Sequence, residues 1–209
     1  MRFTKGHKEQ TRQTIIAAAA RKFRKEGVAA TGIAGLMADA GLTHGGFYAH
    51  FASKEELVRA ALETALDQTM VRRQKILDSA APGINSLEAW IRSYLRPSHR
   101  DTPEQGCVAA SLAAEIARHE PQTRATFTAR LRRLLAQVGA HLPAEMDEAA
   151  KERLTIGLFG LLLGCLQMAR AVNDPVLADQ ILENGTQAAL TLARSSLNAV
   201  PPLVQAAQG

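Results

Sequence analysis

A chain of 209 residues with 46% hydrophobic content can bury a sizeable core, which excludes an intrinsically disordered protein. Its formal net charge of +5 is unevenly placed: residues 1–54 hold nine Lys or Arg against three Asp or Glu, whereas residues 55–209 hold 16 against 17. A basic head on a near-neutral body fits a polyanionic partner, because neutralising phosphates releases counterions.

Ala, Leu, Arg, Glu and Gln dominate the periodic stretches and no alternating, strand-like run occurs, so an all-α fold is expected. Residues 1–7 read as a flexible basic arm. Lys8 to Lys25 form an amphipathic helix with Ile15, Ile16, Ala19 and Phe23 as its apolar stripe, and Gly27 closes it. Thr31 to Lys54 then holds two brief helical patterns either side of Gly41-Leu42-Thr43, a helix-turn-helix. Thr31 caps the first, Ile33, Leu36, Met37 and Ala40 follow at helical spacing, and Gly41 ends it. Thr43 caps a very short second helix, His44 to about Phe51. Phe47 and Phe51 point inward at i, i+4, and Thr43, His44, Gly45, Tyr48 and His50 form the outer face. Ser53-Lys54-Glu55-Glu56 is a capping box that opens a long helix running towards Leu77, broken by Pro82-Gly83; it reads as a lever behind the head.

The rest divides into helices at about Ser86–Leu95, Cys107–His119, Gln122–His141, Met146–Val172 and Val176–Ala199, with prolines between them and a frayed tail from Pro201. The last two are apolar over more of their circumference than one core needs. Leu154, Leu158, Leu161, Leu162 and Cys165 are expected inward, Phe159, Leu163 and Leu166 elsewhere, with Gly157, Gly160 and Gly164 allowing close approach. A second buried face predicts a homodimer joined by a four-helix bundle. The most apolar run, Ile156 to Leu166, is too short to span a bilayer and no signal peptide is visible, so no membrane association is expected. Cys107 and Cys165 match no metal or disulfide framework, which fits a reducing cytoplasm.

Thr31, Leu36, Ala40-Gly41-Leu42-Thr43, Gly45, Phe47-Tyr48, His50-Phe51 and Lys54 resemble the DNA-binding region of the TetR family of bacterial transcriptional regulators. Met37, His44, Gly46 and Ala49 depart from the usual pattern, so the operator sequence does not follow from the resemblance. The resemblance implies a three-helix head over residues 1–54, a ligand-binding and dimerisation domain over 55–209, and a regulator, most often a repressor, released from a palindromic double-stranded operator by a small-molecule effector. Thr31, Thr43, Tyr48 and Lys54 are assigned to phosphates through hydroxyls, a helix N-terminus and a charge. By family position His44, Gly45, Gly46 and His50 lie nearest the bases.

For the effector, Trp90 and Tyr94, four apart on one helical face, either line a cavity or pack in the core; Phe127, Phe159 and Gln167 are further candidates. Cys107 opens a predicted helix, where the positive dipole end lowers a thiol pKa, which gives an alternative reading as an oxidant or electrophile sensor. No HExxH, phosphate-binding glycine loop or GxSxG occurs, so neither an enzyme nor a cofactor is expected. Nor is a metal site: His44 and His50 lie six apart, and Glu115 with His119 is as often a surface helical pair as a ligand set. The rival of another class is an all-helical dimeric interaction module whose basic head binds an acidic protein.

Overall fold

The computed structural model describes residues 5–198, and every regular element among them is helical. The arm at residues 1–4, Ala199 and the tail lie outside the described residues. The chain forms two compact units, residues 1–71 with 101–132 and residues 72–100 with 133–209.

The first unit is built on α1 (Lys5–Glu26), whose Ile15, Ile16, Ala19 and Phe23 are buried as the stripe predicts. Residues 5–7 already belong to this helix rather than to a flexible arm. Gly27 ends it at φ +85°, a torsion open to glycine at little cost. Next comes α2 (Ile33–Asp39), which begins without Thr31 as its cap. Thr31 is buried, and its hydroxyl donates backward to the Gly27 carbonyl at 2.6 Å. Gly41, at φ +72°, closes α2 as expected. A 3₁₀ helix over His44–Ala49 follows, the tighter form a piece this short adopts, and Thr43 precedes it without a side-chain cap bond.

At α3 (Lys54–Leu77) the capping box forms: the Glu56 N–H donates to Ser53 Oγ at 3.1 Å, and the Glu56 carboxylate reaches back to the Ala52 N–H at 2.8 Å. Leu57, Val58, Ala61, Leu62, Ala65 and Leu66 join α1, α2, Phe47 and Phe51 in one core. Val108, Leu112 and Ile116 of α6 (Val108–Ile116) complete it. The compact unit therefore extends beyond Lys54, because the first half of α3 and all of α6 bury their apolar faces there.

The second unit contains α4 (Ile84–Tyr94), all but the last residue of a five-residue α5 (Pro97–Asp101) that no sequence signal marked, the end of α7 (Pro121–Gly139), α8 (Glu148–Ala171) and α9 (Pro175–Asn198). Asp147 caps α8 by accepting from the Ala149 and Ala150 amides, and Asp174 caps α9 through Val176 and Leu177. The α8–α9 contact corrects the expected facing. Phe159 and Leu166 are buried within this unit, not outward. The close approach comes from Gly185 on α9, where an added Cβ would stand 2.6 Å from Cys165 Sγ, whereas Gly160 and Gly164 have open space. Among the apolar and small residues that α8 and α9 leave outside are Ile156, Gly157, Gly160 and Met168 on one helix and Val176, Leu177, Ala188 and Leu192 on the other. By length and composition α8 suffices to cross a membrane, with hydropathy 1.6 over 18 residues; 44% of that window is buried inside the protein.

Candidate nucleic-acid interface

Phe47 and Phe51 carry the exposed face of the head. Both are buried, their rings stacked with centroids 5.6 Å apart, so the short 3₁₀ helix is fastened from beneath. The Arg12 guanidinium lies 4.5 Å from the centre of the Phe51 ring and donates to Glu56 Oε1 at 2.9 Å, tying α1 to the same base. On the outside stand Thr43, His44, Gly45, Tyr48 and Ala49. Tyr48 is 64% exposed, its ring held edge-on by Phe47 with centroids 5.2 Å apart. A rigid aromatic stem with its hydroxyl in water is suited to a backbone phosphate.

The glycines have different reasons. A Cβ at Gly45 would meet nothing within 4 Å, so the fold does not demand glycine there. At Gly46 it would meet Thr43 Oγ1 at 3.6 Å and Met37 Cε at 3.7 Å. Met37, large for its position in the resembled pattern, lies beneath Gly46 at a distance that a Cβ there would meet as ordinary contact.

Three assigned residues stand differently from the expectation. Thr31 is buried with its hydroxyl engaged, which removes it from a phosphate-contacting surface. Lys54 spends a donor on the Val28 carbonyl at 2.7 Å, a structural tie. His50 is half-buried, with Nδ1 enclosed, so only part of its ring faces outward. Burial, with the positive charges of Lys8 and Arg12, holds its pKa below the usual 6.5.

Much of the basic excess is likewise internal. Arg24 is buried, Arg12 pairs with Glu56, and Lys22 pairs with Asp39 at 2.6 Å. Lys8, Arg21 and Lys25 are exposed.

Residues whose partners sequence reading missed cluster beside the α1–α2 turn. Glu115 and His119 do not pair as a helical surface couple. Glu115 accepts from the Val28 and Ala29 amides, and His119 Nδ1 lies 3.0 Å from both carboxylate oxygens of Glu55. Burial works against the Glu55 carboxylate, but hydrogen bonds from Thr123 and His119 and the nearby His119 and Arg59 charges outweigh it and hold its pKa below 4.5. Glu55, Glu115 and His119 line a surface groove of about 410 Å³. No short-range pattern marks Glu115, because its partners lie 86 and 87 residues away.

The effector candidates do not form one set. Trp90, Tyr94 and Phe159 meet in the second unit, with Tyr94 edge-on to Phe159 at 6.1 Å and Arg73 5.9 Å from the Trp90 ring centre. Gln167 is half-buried on α8 in that unit, whereas Phe127 packs against the core of the first. Cys107 also belongs to the first unit and is 2% exposed, short of the access a sensing thiol needs.

Residues 15–61 match the family model for bacterial regulatory proteins of the tetR family. Among curated proteins, the transcriptional regulator TtgR of Pseudomonas putida is 47% identical over 64 residues, 31% of this chain and 30% of TtgR. The regulator YfiR of Bacillus subtilis is 35% identical over 92 residues, 44% of this chain. The chain thus matches less than half the length of these relatives, 30% and 42%. Among solved structures, reduced NemR from E. coli shares the fold at a TM-score of 0.73 and 21% identity, covering 92% of this chain and all of that one. AibR, solved with isovaleryl coenzyme A and operator DNA, does so at 0.61 and 18%, covering 85% of this chain and 97% of its own.

Proposed function

Because this chain belongs to the TetR family of bacterial regulatory proteins, we propose that it is a cytoplasmic, ligand-responsive regulator that binds a palindromic operator as a homodimer, most simply as a repressor. The observation that carries the reading is the exposed Thr43–His44–Gly45–Tyr48 face set on the buried pair Phe47 and Phe51, within the segment that matches the family. Residues 1–54 supply the DNA contacts. Thr43 and Tyr48 take phosphates, His44 and Gly45 approach base edges, and Lys54 holds the head while leaving further ammonium hydrogens for phosphate. Residues 55–209 supply ligand binding and dimerisation.

The outward residues of α8 and α9 support the dimer: Ile156 at 50%, Met168 at 53%, Leu177 at 42% and Leu192 at 37% exposed form an apolar face with small residues between them. A two-fold dimer on a palindrome presents its two reading helices about one DNA turn apart, roughly 34–36 Å. A ligand preferring the conformation that does not bind DNA shifts the population towards it and releases the operator. The isovaleryl coenzyme A held by AibR supports a small-molecule effector for a chain of this fold. Burial of Cys107 weighs against the thiol-sensing alternative. Relatives named as transcriptional regulators weigh against both the interaction module and an enzyme.

Selection of bound duplexes from a random pool tests the proposal. Enrichment of inverted half-sites is expected; a pool that stays random after repeated rounds contradicts it.

A further inference from the structure

The peptide joining the first two helices is gripped from both sides. The Val28 N–H donates to Glu115 Oε2 at 2.7 Å and the Ala29 N–H to Oε1 at 3.3 Å, while the Val28 carbonyl accepts from Lys54 Nζ at 2.7 Å. Gly27 makes room for the carboxylate: a Cβ there would stand 3.0 Å from Glu115 Oε1, on a backbone already at φ +85°. Four residues beyond Glu115, His119 turns to Glu55 in the first turn of α3, and the buried Thr123 hydroxyl donates to the same carboxylate. Residues 115–123 therefore hold the turn that aims α2 and the turn that starts α3, the two ends of the segment containing the reading face.

We propose that Glu115 is a positioning residue for DNA binding: its carboxylate sets the angle at which α2 and the His44–Ala49 helix are presented, so operator affinity depends on the seating of the end of α6. This rests on the DNA-binding reading above. Glu115 itself lies outside the family-matched segment 15–61. Apolar packing between α1 and α6 is non-directional and tolerates sliding, whereas a charge-assisted bond to two successive amides fixes both distance and angle. Without it the turn samples other torsions, and the DNA must supply the ordering free energy when it binds.

The test uses the full chain with Glu115→Ala, Glu115→Gln and Gly27→Ala. For each, affinity is measured for a duplex selected by the parent and for a random duplex, together with amide exchange at Val28 and Ala29, helix content and thermal midpoint. Glu115→Ala is expected to keep its helix content, expose both amides to exchange, and bind the selected duplex about tenfold more weakly. Binding to the random duplex, a phosphate term, should change by less than about twofold. Glu115→Gln, which keeps one oxygen for one amide, should recover part of the loss. Gly27→Ala, which displaces the carboxylate from its own side, should reproduce the loss of discrimination. An unchanged ratio of selected to random affinity with the amides unprotected would overturn the proposal. Should Glu115→Ala fail to fold, the same ratio measured on the near-isosteric Glu115→Gln decides it, and an unchanged ratio there overturns it as well. A parent chain that prefers no duplex over random removes the DNA-binding reading itself, an outcome separable from an intact parent preference that the variants share.

Discussion

Two hydroxyls in the reading stretch, those of Thr31 and Tyr48, are divided by their surroundings. Thr31 lies in the core with its hydroxyl on the Gly27 carbonyl, whereas Tyr48 stands 64% exposed on a buried neighbour. Tyr48→Ala should therefore leave the fold intact and weaken binding to selected and random duplexes alike, since a neutral phenol hydroxyl on a phosphate adds affinity without neutralising its charge. Thr31→Ala should leave DNA affinity unchanged and cost stability instead, about 1 kcal/mol for one buried hydrogen bond. Binding titrations and chemical melts of the two variants separate these roles; an unchanged affinity of Tyr48→Ala for both duplexes would remove Tyr48 from the phosphate contacts. The threonine pattern before α2 is a sound capping signal, but the capping site lies one residue on, at Gly32. Burial of Thr31 depends on the turn at Gly27 and Val28, whose course is fixed by Glu115 from far along the chain. Long-range partners of this kind leave no periodic trace.

At the scale of elements, helix existence was readable because apolar periodicity and proline or glycine punctuation are local, and the five body helices fall within two residues of their expected starts. Which face meets which neighbour was not. The three α8 glycines looked like the close-approach residues, yet the tight contact is Gly185 against Cys165, because a glycine's partner is set by helix crossing and not by its own spacing. Gly185→Ala should cost about 1–3 kcal/mol through overpacking, measured as a fall in denaturation midpoint, and Cys165→Ala in the same chain should restore part of it. A cost-free Gly185→Ala would refute the packing assignment.

The α4–α5 corner adds a pH dependence. His99 is half-buried with Nδ1 2.6 Å from the Tyr94 carbonyl; desolvation first, and then the charges of Arg170, Arg96 and Arg72, bring its pKa down to about 4 although the carbonyl bond opposes them. The unfolded chain takes up a proton near pH 6.5 while the folded chain resists it. Stability from this group is complete above pH 6.5 and drains away as pH falls towards 4. The thermal midpoint should decline through that window, and His99→Asn should flatten the decline; an identical pH profile in the variant would contradict it.

For the whole molecule, the basic head and the apolar face of α8 and α9 were both visible in composition, one as a charge imbalance and the other as surplus apolar circumference. Their content was not: Arg12, Lys22, Arg24 and Lys54 turn out to brace the head, leaving Lys8, Arg21 and Lys25 among the exposed basic residues. Dimerisation should follow from Ile156 and Leu192, since a charge at either is solvated in a monomer and buried in a bundle. Ile156→Glu should therefore give a helical monomer by sedimentation, whereas a dimer of undiminished strength would move the interface elsewhere. The central claim, a two-fold protein reading duplex DNA, meets its most direct test in fluorescence anisotropy titration of a selected palindrome, its single half-site and a random duplex at one fixed salt concentration. The palindrome should bind at least about 10³-fold more tightly than the random duplex, with the half-site well below it. Equal affinity for all three would contradict the account.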